Sequence, residues 1–289
     1  MVIMLGLAAA VLYGTGDFLG GQATRRAGAL AVLALAETAG VIVALPAAAI
    51  SPGPVHPAAL AWGISAGLIG GAGLILFYKA LAAGPMSVAA PISALVATIL
   101  PVAVALAEGE RPGPGVYAGA ALCLAAIVLT SSGGQTSPAH RTSAAPPQAA
   151  GPGRALRYAS VAGVSFGLYF LLIRNAGQSG ELWPVAAGRI GELAAVLIAA
   201  AALRRSPLPR GANGRLLLAA SGAGAIDVIG TISYVAATKT GPFGLAVVLA
   251  SLYPGITVLL ARVMLGERLR WAQRTGLGLA AIGIILLAA

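Results

Sequence analysis

Ten apolar blocks follow one another along this chain, each near the ~20 residues that a helix needs to cross the hydrocarbon of a bilayer. They fall at 2–20, 28–50, 57–82, 86–107, 113–131, 155–173, 183–203, 214–238, 242–265 and 271–289. In lipid a backbone must satisfy its own polar groups, so helices and closed barrels are the only spanning structures. Barrel strands would alternate in polarity over ~10 residues, and these blocks are continuous. The pattern predicts an all-α integral membrane protein with ten transmembrane helices. Composition agrees: of 289 residues 58% are hydrophobic and 9% charged, against about 25% charged in soluble domains. The first block has no basic segment before it and matches the blocks that follow. It reads as a span rather than a cleaved leader.

The formal net charge is +10. In a soluble chain such a balance would suggest nucleic acid. Here the basic residues sit in gaps between apolar blocks, without interleaved aromatics, which excludes a nucleic-acid surface and points to the lipid bilayer as partner. The single cysteine, Cys123, allows no internal disulfide and no cysteine metal site. No phosphate loop, His-Glu-x-x-His or Gly-x-Ser-x-Gly motif is present, so no cofactor, no ATP-driven step and no catalytic residue is expected.

The stretch at 132–154, rich in Pro, Ser and Gly, reads as a flexible linker. It leaves five blocks at 1–131 and five at 155–289. The halves are related. "GERP" at 109–112 and "GERL" at 266–269 are 267 − 110 = 157 residues apart, and at that offset residues 84–112 lie over 241–269 without a gap. An odd number of spans per repeat makes the second half enter the membrane from the opposite side. The expected architecture is an inverted duplication of a five-helix bundle, as in many secondary transporters. Glu110 and Glu267, each in the turn before a repeat's last span, are expected to cap that span. Alternate loops carry fourteen and three basic residues. The rich side should be cytoplasmic, which puts both termini outside.

Charged residues inside apolar blocks each cost roughly 2.5–3.5 kcal/mol on insertion scales. The site candidates among them are Asp17, Glu37, Arg189, Glu192 and Asp227. Glu37 and Glu192 are 192 − 37 = 155 apart, close to the repeat offset, and read as equivalent positions. Either acid can bind a substrate amine or a coupling proton, or serve as a structural charge. Arg189 stands three residues before Glu192 on one helix face and can neutralise it. Asp17 aligns with Phe170 in the other half, so symmetry does not repeat it. It is a site candidate, or else an interfacial partner of Arg25 and Arg26. Asp227 has no cation nearby in sequence. Tyr13 and Tyr169 are expected to line a cavity, with Tyr78 and Tyr234 as further candidates. Trp62, Trp183 and Trp271 read as interface anchors.

"LYGTGDFLGG" at 12–21 and "SLYPGITVLLARVMLGER" at 251–268, with the ten-block duplicated layout, resemble the drug/metabolite transporter superfamily, in particular its EamA-type permeases with two five-helix repeats. In the first repeat the proline departs from the pattern: Pro101 lies nearer its Glu than Pro254 does. The resemblance implies a plasma or inner membrane carrier of small organic solutes such as amino acids, metabolites or drugs, often an exporter. It also implies cytoplasmic termini, against the charge count. A channel, or an intramembrane enzyme acting on lipid, is the alternative. Whether the chain is a monomer or a homodimer stays open.

Overall fold

In a computed structural model the described residues are 1–24, 26–51, 55–83, 86–131, 152–176, 182–209, 213–266 and 269–288, with the side chains of 78, 81–91, 131, 152 and 288 outside that set. Arg25, Glu267, Arg268 and most of the 132–154 segment therefore lie outside the described residues, as does the Tyr78 side chain.

The described residues form eleven helices: α1 (Val2–Thr24), α2 (Ala29–Ala49), α3 (Pro57–Ala83), α4 (Met86–Ala107), α5 (Pro114–Ser131), α6 (Pro152–Ala176), α7 (Trp183–Ala202), α8 (Gly214–Lys239), α9 (Phe243–Ala250), α10 (Tyr253–Leu265) and α11 (Trp271–Ala288). No strand occurs among the described residues. Among the described residues seven segments are long and apolar enough to cross a membrane, and three more apolar helices are shorter. The chain is a multi-pass membrane protein. Its helix α6 starts at Pro152, three residues before the apolar block begins.

Ala, Leu and Val fill these helices, and the hydroxyls among them are satisfied locally. Thr38 donates to the Ala34 carbonyl at 2.6 Å and Thr98 to the Ala94 carbonyl at 2.8 Å, the usual way a threonine is accommodated within a helix in lipid. Asn213 caps α8, its side chain accepting from Leu216 N at 2.9 Å.

The ninth block is not one helix. It breaks at Ser251 and Leu252 into α9 and α10. Pro254 has no N–H for the Ala250 carbonyl four residues back. Gly255 N turns to the Leu252 carbonyl at 2.9 Å, a tighter turn that completes the interruption.

Each half packs mainly on the other. Helix α1 lies along α8, and α6 along α3; α2 meets α7, and α5 meets α11. Helix α3 also meets α7, and α2 also meets α8, and both of those seams are backbone against backbone. A Cβ added to Gly67 of α3 would fall within the Gly188 carbonyl of α7, and one added to Gly224 of α8 within the Ala36 carbonyl of α2. Only glycine allows that approach. The core between the seams holds Tyr13, Tyr169, Phe170, Tyr234 and Phe243. Phe170 and Tyr234 rings lie 4.9 Å apart, and Tyr234 donates to the Phe170 carbonyl at 3.2 Å. Tyr234 is thus held within the core. Trp62 and Trp271 are exposed, whereas Trp183 packs on the core.

Candidate functional site

Arg189 stands in the second turn of α7, in the stretch Gly188-Arg189-Ile190-Gly191-Glu192. Small residues around it make room. A Cβ on Gly40 of α2 would meet Arg189 Cδ at 3.2 Å, and one on Gly70 of α3 would meet Glu192 Oε1 at 3.1 Å. The guanidinium is 3% exposed and its ionic partners come from three helices. Nη1 lies 3.3 Å from Glu37 Oε2 of α2 and 2.7 Å from Glu192 Oε2, one turn on along α7. Nη2 lies 2.6 Å from Asp227 Oδ2 of α8. The contact to Glu192 Oε2 is ionic and not an aligned hydrogen bond.

Hydroxyls complete the shell. Arg189 Nη2 donates to Thr231 Oγ1 at 2.6 Å and reaches Tyr169 Oη at 3.5 Å. Tyr13 donates to Thr231 Oγ1 at 3.3 Å, and the Tyr169 hydroxyl lies equally far from it. Thr231 therefore joins α1, α6, α7 and α8 through one oxygen. Sequence reasoning missed it. The signal was its position, four residues after Asp227 and so on the same helix face.

The structure thus gathers six of the seven sequence candidates: Tyr13, Glu37, Tyr169, Arg189, Glu192 and Asp227. The seventh, Asp17, stands a step away. Glycines 16 and 20 of α1 face Ala223 and Asp227 of α8, while Gly14 faces Tyr253 and Ile256 of α10. Asp17 lies between these two faces, within the fields of Asp227 and Tyr253. It is exposed, on the stretch of α1 that is flanked by α8 and α10. Its nearest acid is Asp227, and it makes no ion pair among the described residues. Asp227 is 33% exposed, so it touches Arg189 on one side and open space on the other.

Two expectations change. Glu37 and Glu192 are not counterparts across the halves. Gly67 and Gly224, 224 − 67 = 157 apart, rest on Gly188 and Ala36 respectively; the residue following Ala36 is Glu37, and the one following Gly188 is Arg189. Glu37 and Arg189 thus hold matching places on α2 and α7 and meet each other. The second change concerns Glu110. It does not cap α5. Its carboxylate accepts from Phe243 N at 2.5 Å and Gly244 N at 3.1 Å, which caps α9 in the other half. Two successive N–H groups at a helix N-terminus favour a carboxylate there.

That end of the bundle is tied down further. Arg174 at the end of α6 pairs with Glu108 at 2.7 Å and lies 4.0 Å over the Phe243 ring. At the opposite end α1, α8 and α10 leave a cavity of about 300 Å³, lined by Phe18, Gln22, Arg26, Arg215, Ala219 and Met264 among others.

The model of the EamA-like transporter family matches residues 1–132 and again 154–289. The chain belongs to the EamA-like transporter family. Members of this family are membrane transporters of small solutes rather than enzymes. A solved structure described as "Crystal structure of protein" has a TM-score of 0.76 to this chain at 21% identity, covering 99% of this chain and 98% of its own. It shares the fold of this EamA-like transporter. No curated protein matches the chain.

Proposed function

We propose that this protein is a secondary, alternating-access carrier that exports a small organic solute, an amino acid, metabolite or drug, across the plasma or inner membrane. In this reading ten spans form two inverted five-helix repeats, 1–131 and 155–289, joined by the 132–154 linker. The exchange of packing partners supports it: α1 is to α8 as α6 is to α3, while α2–α7 and α5–α11 pair across the middle. Asp17 and Asp227 face a crevice between α1, α8 and α10 and hold the solute or a coupling proton. Arg189, Glu37 and Glu192 form the fixed charge behind them, with Tyr13 and Tyr169 as walls.

The observation that carries the reading is the imbalance of the buried cluster. One guanidinium meets three carboxyls inside the spans, and of the three only that of Asp227 is partly exposed. Charges taken out of water persist only when compensated. A further positive charge, solute or proton, supplies what Arg189 alone does not. The ties among Glu108, Arg174 and Phe243 draw one end of the bundle together, which fits a carrier better than a channel.

The test starts from purified protein screened for thermal stabilisation by amino acids, nucleosides and cationic drugs. A stabilising compound is then followed in proteoliposomes. Saturable uptake with counterflow is expected, abolished in Asp227→Asn and Glu37→Gln while both variants remain folded in the membrane. Transport at the unaltered rate in both variants overturns the site. Flux without saturation overturns the carrier.

A further inference from the structure

We propose that the cavity at the arginine-bearing end of α1, α8 and α10 binds the phosphate headgroup of an anionic membrane lipid. Three helix ends converge there. Helix α1 supplies Phe18, Gln22 and Ala23, with Arg26 just beyond it; α8 supplies Arg215, Leu216 and Ala219 from its first turns; α10 supplies Met264 and Leu265 from its last. The cavity therefore lies at a membrane interface, at headgroup depth. Arg26 and Arg215 are both exposed, and neither meets a carboxylate among the described residues. Two guanidiniums and the Gln22 amide around one hollow are the donor set for a phosphate. The positive end of the α8 dipole lies beside them.

The remaining wall is apolar and continuous with the lipid-facing surface. Met264 is 69% exposed and Leu265 42%, and Val263 before them 71%. The hollow thus opens sideways toward acyl chains as well as outward toward water. That combination fits a lipid better than a free anion. Basic pockets between spans on the cytoplasmic side are suited to anionic headgroups, and this is the end with the excess of arginine.

The cavity is separate from the charge cluster. Asp227 lies two turns beyond Ala219 along α8, ~12 Å deeper at the helical rise per residue. A small solute held at Asp227 does not reach Arg215. The lipid is therefore a second ligand, bridging the broken-helix half α10 to the α1–α8 pair at the rim of the crevice.

Purified protein titrated with phosphatidylglycerol and, separately, with phosphatidylcholine tests the assignment by native mass spectrometry and melting temperature. Preferential binding of phosphatidylglycerol is expected. The double variant Arg26→Gln/Arg215→Gln should bind it about 30-fold more weakly, from two arginines near an anionic surface. Arg26→Lys/Arg215→Lys should keep most of the preference. Arg204→Gln/Arg205→Gln, which removes the same charge from exposed positions elsewhere, should keep all of it. Equal binding of the two lipids, or a preference that survives Arg26→Gln/Arg215→Gln, overturns the proposal. Inorganic phosphate and glycerol 3-phosphate form a third arm. If either competes at the lipid's own concentration, the site takes soluble phosphate and the lipid assignment falls.

Discussion

At the scale of single residues, Arg189 decides the character of the interior. Removing it leaves Glu37, Glu192 and Asp227 facing one another without a cation. Breaking a buried charge arrangement by deleting one partner costs about 3–5 kcal/mol. Arg189→Gln is therefore expected to lower the melting temperature sharply and reduce the yield of folded protein, as read by fluorescence-detected gel filtration. Tyr13→Phe removes one 3.3 Å hydrogen bond to Thr231 and should cost only about 1 kcal/mol. A cluster of ionisable residues was legible in the sequence, because a charge within an apolar block is conspicuous. Which of them meet was not. Glu37 and Glu192 are separated by nearly the repeat offset, yet packing sets Glu37 against Arg189. The three-residue difference is close to one helical turn, and spacing alone does not fix which turn of α7 faces α2. Thr231 was illegible for another reason: most threonines in these helices spend their hydroxyl on their own backbone, as Thr38 and Thr98 do.

Among the elements, the interrupted α9–α10 span is the one that sequence pattern did not announce. Pro254 was visible, but Pro46 sits within α2, and Pro91 and Pro101 within α4, without dividing them. A proline removes one hydrogen bond; the break needs the adjoining turn at Ser251 and Leu252 as well. Pro254→Ala restores a donor for the Ala250 carbonyl. It should join the two helices, raising the melting temperature while slowing transport, since a stiffened span is harder to rearrange. Comparing the two readouts in one variant checks this, and loss of stability would speak against it. The Glu110 cap on α9 gives a second expectation. Glu110→Ala leaves Phe243 N and Gly244 N without their acceptor and should cost about 0.5–2 kcal/mol, the range for a lost N-cap, measurable by chemical or thermal unfolding in detergent. The sequence displayed Gly-Glu-Arg clearly, but not that its carboxylate reaches across to the other half.

For the molecule as a whole, the two ends of the bundle differ. Gln22 lines the cavity at one end, and Arg174 ties α6 to Glu108 and Phe243 at the other. The only cysteine, Cys123, is fully buried, so Gln22→Cys introduces the one accessible thiol. A membrane-impermeant maleimide should label it from the arginine-rich side, which also fixes the orientation of the termini. Adding Arg174→Ala removes the Glu108 bridge and the Phe243 contact. It should lower that labelling by favouring the state open at the other end; unchanged or higher labelling would sink the assignment of that end as a gate. The helical, membrane-spanning character of the chain could be read directly from its apolar blocks. The seams could not, because glycine is abundant throughout, with forty positions, and only packing selects which backbone each one presses on. Those seams, Gly67 on Gly188 and Gly224 on Ala36, have a mechanical meaning. Surfaces without interlocking side chains slide past one another with few rotamers to reset. In the carrier proposed above, such smooth bearings would let the halves of the bundle rock at little cost, and a single added methyl at Gly67 or Gly224 would act on them as grit.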